Sequence, residues 1–98
     1  MYGTVARMRL KPGKEAELSG FLREFDELKV PGAISEYLYR MDEDSNEYYL
    51  VVVFADKGKY TENADDPEQD ARYQKLRALL EADPEWHDGE IVHHISWM

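Results

Sequence analysis

Polar and apolar residues alternate from Tyr2 to Leu10, with Tyr2, Thr4, Ala6, Met8 and Leu10 on one face and Val5, Arg7 and Arg9 on the other. A period of two is the mark of a strand covered by a core on one side. Lys11-Pro12-Gly13-Lys14 breaks that strand. From Glu15 the spacing changes to three and four, and Leu18, Phe21, Leu22, Phe25 and Leu28 form one helical stripe. Gly20 weakens this helix by about 1 kcal/mol relative to alanine. Val30-Pro31-Gly32 ends it, because proline disfavours helical geometry in the residue before it.

Ala33 to Met41 reads as a second strand, with Tyr37, Tyr39 and Met41 opposite Ile34 and Leu38. Asp42 to Asn46 is a polar turn of hairpin length, and Tyr48 to Ala55 is the third strand. Asp56 suits the cap of a short helix running through Asn63. Asp66-Pro67-Glu68-Gln69 carries a cap residue, proline at the first helical position and glutamine three residues after the cap, so a further helix starts there. Tyr73, Leu76, Leu79 and Leu80 form its apolar stripe, and Asp83-Pro84 stops it. The last strand is expected over Ile91 to Met98. Trp86 and His87 then fall in the loop before it.

The order strand, helix, strand, strand, helix, strand, with right-handed crossovers, describes an α+β fold. It is a ferredoxin-like βαββαβ domain whose four-stranded antiparallel sheet carries the helices on one face. Strand three is apolar on both sides: Tyr49, Val51 and Val53 oppose Tyr48, Leu50, Val52 and Phe54. An uncovered face of that kind is an association surface. A two-fold homodimer packing sheet against sheet is therefore expected.

The 98 residues make a single domain spanning residues 1–98. Its net charge of −9, from 21 acidic against 12 basic residues, repels nucleic acid and anionic membranes. The absence of cysteine excludes disulfides, thiolate metal sites and a cysteine nucleophile. No apolar run approaches the about 20 residues of a membrane span. No basic-then-apolar leader precedes the first strand, and a cytoplasmic location is the expectation.

Strand one running into K-P-G-K-E-A-E-L is followed by P-G-A-I-S-E-Y-L-Y-R, E-Y-Y-L-V-V-V-F-A-D-K-G-K-Y and the helix Y-Q-K-L-R-A-L-L. Through these motifs the whole chain resembles the antibiotic biosynthesis monooxygenase-like family of dimeric α+β barrels. The resemblance implies a cofactor-independent monooxygenase-like protein acting on a small phenolic or quinone-like substrate between sheet and helices. The alternative is a non-catalytic, dimeric small-molecule-binding module. Tyr60 and Asn63 sit where the polyketide oxygenases have a tyrosine and an asparagine after strand three. Where those enzymes end the strand with tryptophan, this chain has Phe54. The haem-degrading branch uses an asparagine on strand one, a tryptophan at the end of strand three and a histidine on the later helix. Arg7, Phe54 and Tyr73 stand at the nearest positions here. Without an imidazole on that helix, no haem and no other cofactor is expected.

Tyr60 and Asn63 are three apart and share a helical face, so a phenol and an amide can orient one ligand, although the commoner duty of such a tyrosine is that of an amphipathic core residue whose hydroxyl reaches water. His93 and His94, adjacent on the expected strand, point to opposite faces and cannot bind one metal. One of them, His93, is the candidate general base; the same pattern also describes one core and one surface histidine. Phe54, Tyr73, Trp86 and His87 are candidate substrate contacts. Arg40 is a strand arginine able to bind an anionic group, or simply to pair with a surface acid. No mononuclear metal site is expected from three scattered histidines. Unless Tyr60 and Asn63 converge with a histidine on a cavity of about 300 Å³ or more, the oxygenase expectation fails and the binding module is left.

Overall fold

The computed structural model describes all residues, 1–98. Its elements are β1 (Tyr2–Arg9), α1 (Glu15–Asp26), β2 (Ala33–Arg40), β3 (Glu47–Phe54), α2 (Lys57–Ala64), α3 (Pro67–Arg77) and β4 (Glu85–Glu90). The four strands form one antiparallel sheet in the order β2-β3-β1-β4. This is the expected ferredoxin-like α+β arrangement, with the second helical region divided into α2 and α3. The helix starts are chemically specified. The Asp56 carboxylate accepts the Lys59 N–H, and Asp66 accepts the Glu68 N–H ahead of Pro67. Gly32 takes φ +80° in the turn leading into β2, a geometry that glycine adopts without steric cost.

The expected last strand requires correction. Ile91 to Met98 forms no regular structure, and β4 is the polar stretch E-W-H-D-G-E immediately before it. An edge strand has one neighbour and needs backbone pairing more than apolar side chains. β4 obtains that pairing along β1 from Tyr2↔Glu90 to Arg7↔Glu85. Trp86 and His87 are therefore strand neighbours pointing to opposite faces. His93 and His94 lie beyond the sheet, so the strand geometry expected of them does not apply. The last helix also ends sooner than the apolar stripe suggests. Leu79 and Leu80 follow α3, and Leu80 forms an isolated bridge with Leu10.

The helix-facing side of the sheet divides into two regions. At one end Ala6, Met8 and Leu10 of the β1 region pack with Tyr48, Leu50, Leu18, Leu76 and Leu80 to form the core. Backbone bonds close this end: the Leu10 N–H donates to Asn46 O at 2.8 Å, and the Lys11 N–H to Leu79 O at 2.9 Å. At the other end, around Thr4, Val52 and Phe54, α1 stands away from the sheet and leaves an open cavity. The opposite face of the sheet has no helices. Tyr37 and Tyr39 are 57% and 54% exposed there, beside the partly exposed Tyr49, Val51 and Val53.

Leu10 and Leu80 are the largest fully enclosed side chains and meet where the β1 region joins the segment after α3. Leu80→Ala removes buried methyl groups from a site that backbone bonds prevent from collapsing. The expected loss is about 2–5 kcal/mol of unfolding free energy, read as a lower urea midpoint at unchanged slope. A loss below about 1 kcal/mol would place the core elsewhere.

Candidate functional site

The cavity between sheet and helices has a volume of about 950 Å³ and is lined mainly by apolar side chains. Its floor is the helix-facing side of the sheet, where Thr4, Met8, Leu38, Leu50, Val52 and Phe54 point toward the helices. Phe21, Leu22 and Phe25 of α1 form one wall, and Tyr60, Asn63, Tyr73 and Leu76 of α2 and α3 form the other. The α1 stripe read in the sequence is therefore only partly core. Leu18 is buried, while the phenylalanines further along face the cavity.

Tyr60 is held on three sides. The Asp56 cap starts α2, and one turn along that helix the Tyr60 ring lies 5.3 Å from Tyr2 and 5.5 Å edge-on to Phe54. Its hydroxyl donates to Asp88 Oδ1 at 2.8 Å. Burial, followed by that hydrogen bond and the Asp88 charge, pushes the phenol pKa up to about 12, so Tyr60 remains a protonated donor at neutral pH. Asn63 lies one turn further along the same face of α2 and also lines the cavity. On the other side, Tyr73 of α3 and Trp86 of β4 face each other with ring centroids 6.1 Å apart.

Five of the eight site residues read from the sequence thus come together on one cavity: Phe54, Tyr60, Asn63, Tyr73 and Trp86. The other three are elsewhere. His87 is on the open face of the sheet, 3.1 Å from Glu85. Arg40 is an exposed residue at the end of β2, away from the cavity, and His93 is exposed in the segment after β4. No histidine lines the cavity of the single chain, and no group of histidines, aspartates and glutamates is arranged to hold a metal ion.

Three polar residues that line the cavity, Thr4, Glu36 and Asp88, are not among the sequence candidates. Asp88 precedes the strand expected over Ile91 to Met98 and so carries no strand position in the sequence, whereas it lies within β4. Thr4 and Glu36 were legible in principle. Thr4 shares the face of Ala6 and Met8, and Glu36 falls between Ile34 and Leu38 on the core-facing register of strand two. A polar residue in such a register is the available signal. Thr4 is 4% exposed, and its hydroxyl lies near Tyr60 but reaches no partner at hydrogen-bonding geometry. Glu36 stands at the cavity rim. Although its side chain reaches solvent, the surrounding protein pushes its carboxyl pKa up by burial, and Asp26 adds to the effect.

The family model for antibiotic biosynthesis monooxygenases matches residues 1–75. No curated protein sequence matches the chain. Among solved structures, a Chloroflexus aurantiacus J-10-fl protein assigned to the antibiotic biosynthesis monooxygenases superposes with a TM-score of 0.78 at 22% identity, covering 97% of this chain and 96% of that one. SnoaB, a cofactor-independent oxygenase from Streptomyces nogalater, gives 0.79 at 19% identity, covering 96% and 95%. A conserved protein from Methanosarcina mazei Go1 gives 0.78 at 19% identity, covering 90% and 89%. At these identities the structural likeness establishes the fold. No helix is long and apolar enough to cross a membrane. The family match over residues 1–75, on a fold shared end to end with those structures, makes this chain a member of the antibiotic biosynthesis monooxygenase family.

Proposed function

We propose that the chain is a cofactor-independent, monooxygenase-like protein whose substrate is a small phenolic or quinone-like aromatic molecule bound between sheet and helices. The observation that carries this reading is the apolar cavity of about 950 Å³ with a protonated tyrosine fixed on a carboxylate at one end. The apolar walls exclude water from a flat aromatic ring. Asn63 orients its oxygen together with Tyr60, whose proton is held by Asp88 and whose oxygen accepts, while Phe54, Tyr73 and Trp86 contact the ring faces. SnoaB, named as a cofactor-independent oxygenase, lends support through the shared fold.

Loss of the phenolic proton gives the substrate carbanion character at a ring carbon, and this carbon supplies electrons to dioxygen. One ring C–H becomes C=O, one oxygen atom leaves as water, and a phenol becomes a quinone. The histidine required by the sequence expectation is absent from the single-chain cavity, so the oxygenase is proposed in a different form, with Asp88, the carboxylate paired with Tyr60, as the proton acceptor. The lack of a cavity-lining histidine favours a second reading, a binding module without chemistry.

The same reading includes a homodimer formed sheet to sheet. Tyr37 and Tyr39 stand more than half exposed beside Tyr49, Val51 and Val53 on a face that no helix covers. A second copy buries this apolar patch against its equivalent. His87, on the same face, then flanks the interface rather than the ligand.

Three outcomes are expected. With naphthols and naphthalenediols as a substrate panel, protein-dependent oxygen uptake should appear at an oxygen electrode, and Tyr60→Phe should lower it by about tenfold or more. Calorimetric binding without uptake would establish the binding module in its place. In an alkaline difference titration against Tyr60→Phe, the Tyr60 phenol should ionise near its pKa of about 12, well above the ordinary value near 10. Its proton-linked contribution to stability is complete below about pH 10. It is lost as pH rises toward about 12, because the folded chain keeps a proton that the unfolded chain has released. A midpoint at the ordinary value would contradict the buried donor. Sedimentation should give twice the 11.5 kDa chain mass at micromolar concentration, and a species of the single-chain mass would reject the dimer.

A further inference from the structure

The sheet register places four helix-facing residues in one row across the cavity floor. Glu36 pairs with Val52, Val52 with Thr4, and Thr4 with Asp88. Neighbouring strands are about 4.8 Å apart, so the row places Thr4 one strand from Asp88 and two strands from Glu36. All four residues line the cavity. The two ends are carboxylates. Thr4 between them is 4% exposed, and its hydroxyl lies beside Tyr60 without a hydrogen bond of good geometry. A buried hydroxyl without a partner costs stability, so its place on a cavity floor calls for a ligand that supplies one.

The chemistry of the row restricts that ligand. Tyr60 spends its proton on Asp88 Oδ1, which leaves the remaining carboxylate lone pairs and the phenol oxygen as acceptors. Thr4 can donate as well as accept. A ligand hydroxyl answers both neighbours, accepting from Thr4 while donating to Asp88. An ether or carbonyl oxygen satisfies Thr4 and gives Asp88 nothing. A carboxylate meets like charge from Asp88 on one side and Glu36 on the other. The cations that line the cavity, Lys29 and Arg72, belong to the helical side, and the Arg72 guanidinium is engaged by Gln69. The Thr4 oxygen is closed to water. Tyr60 lies beside Thr4 and bonds Asp88, so a ligand hydroxyl that answers both takes the place of the Tyr60 hydroxyl there.

We propose that the Glu36–Val52–Thr4–Asp88 row is a specificity strip that selects a neutral ligand hydroxyl over an ether, carbonyl or carboxylate at the same position. Val52 supports the ring, Thr4 and Asp88 bind the hydroxyl, and Glu36 repels anions that enter from the rim. The inference rests on the cavity being the ligand site, as proposed above.

Titration calorimetry with 2-naphthol, 2-methoxynaphthalene and 2-naphthoate at neutral pH tests the strip. The native chain should bind 2-naphthol about tenfold more tightly than either of the others. Asp88→Asn should remove most of that preference. Thr4→Val should reduce it at least about threefold while keeping the melting temperature at or above the native value, because an unsatisfied hydroxyl is lost without a change of shape. Thr4→Ser should retain the preference. If the native chain binds the naphthol and its methyl ether equally, or if folded Asp88→Asn and Thr4→Val both keep full preference, the strip is refuted and the cavity reading stands. If none of the three compounds binds, both fall. Should either variant fail to fold, the selectivity of the native chain decides.

Discussion

A four-stranded sheet with one layer of helices has two faces and covering for only one, and most features of this chain follow from that imbalance. The central strands β1 and β3 must bury apolar residues on the helical side, so Ala6, Met8, Tyr48 and Leu50 form the core. On the other side β3 presents Tyr49, Val51 and Val53, and β2 adds Tyr37 and Tyr39. The helical layer is incomplete as well. It seals the Leu10–Leu80 end and stands away from the Thr4–Phe54 end. One strand, β1, therefore passes from a closed core to an open cavity within eight residues.

The cavity depends on this passage. A side chain near Leu10 meets packed neighbours and must be apolar. At Thr4, two positions before Ala6 on the same face, a hydroxyl is held at the boundary between core and cavity. The cost of leaving it without a partner is tolerated because the core end supplies the stability. Tyr60 uses the same boundary differently. Its ring packs on Tyr2 and Phe54, and its hydroxyl reaches across to β4, so α2 and the edge strand are joined through the site itself. The site is thus held by strands and a capped helix, which gives its groups a defined geometry.

Local chemistry made much of this legible in the sequence. The period-two run to Leu10, the Asp56 and Asp66 caps and the Asp42–Asn46 turn each act within a few residues, and the structure contains each of them. Tyr60, Asn63, Phe54, Tyr73 and Trp86 were readable as candidates because their elements were, and they line one cavity. The edge strand was not readable. β4 is built from charged residues, a glycine and one tryptophan, while the apolar alternation after it lies outside the sheet. Edge pairing is decided by backbone partners on β1, and side-chain pattern carries little information about it. His93, His87 and Asp88 all changed place with that strand.

The sequence alone determined the order of elements, the covered and uncovered faces of the sheet and the residue types available to a site, because propensity, periodicity and capping are short-range. Tertiary structure decided which of those residues meet. Strand register brings Glu36, Val52, Thr4 and Asp88 into one row from four different strands of the chain, and the distance of α1 from the sheet opens the space above them. Register and layer separation arise from packing between distant segments, and no local window of sequence contains that information.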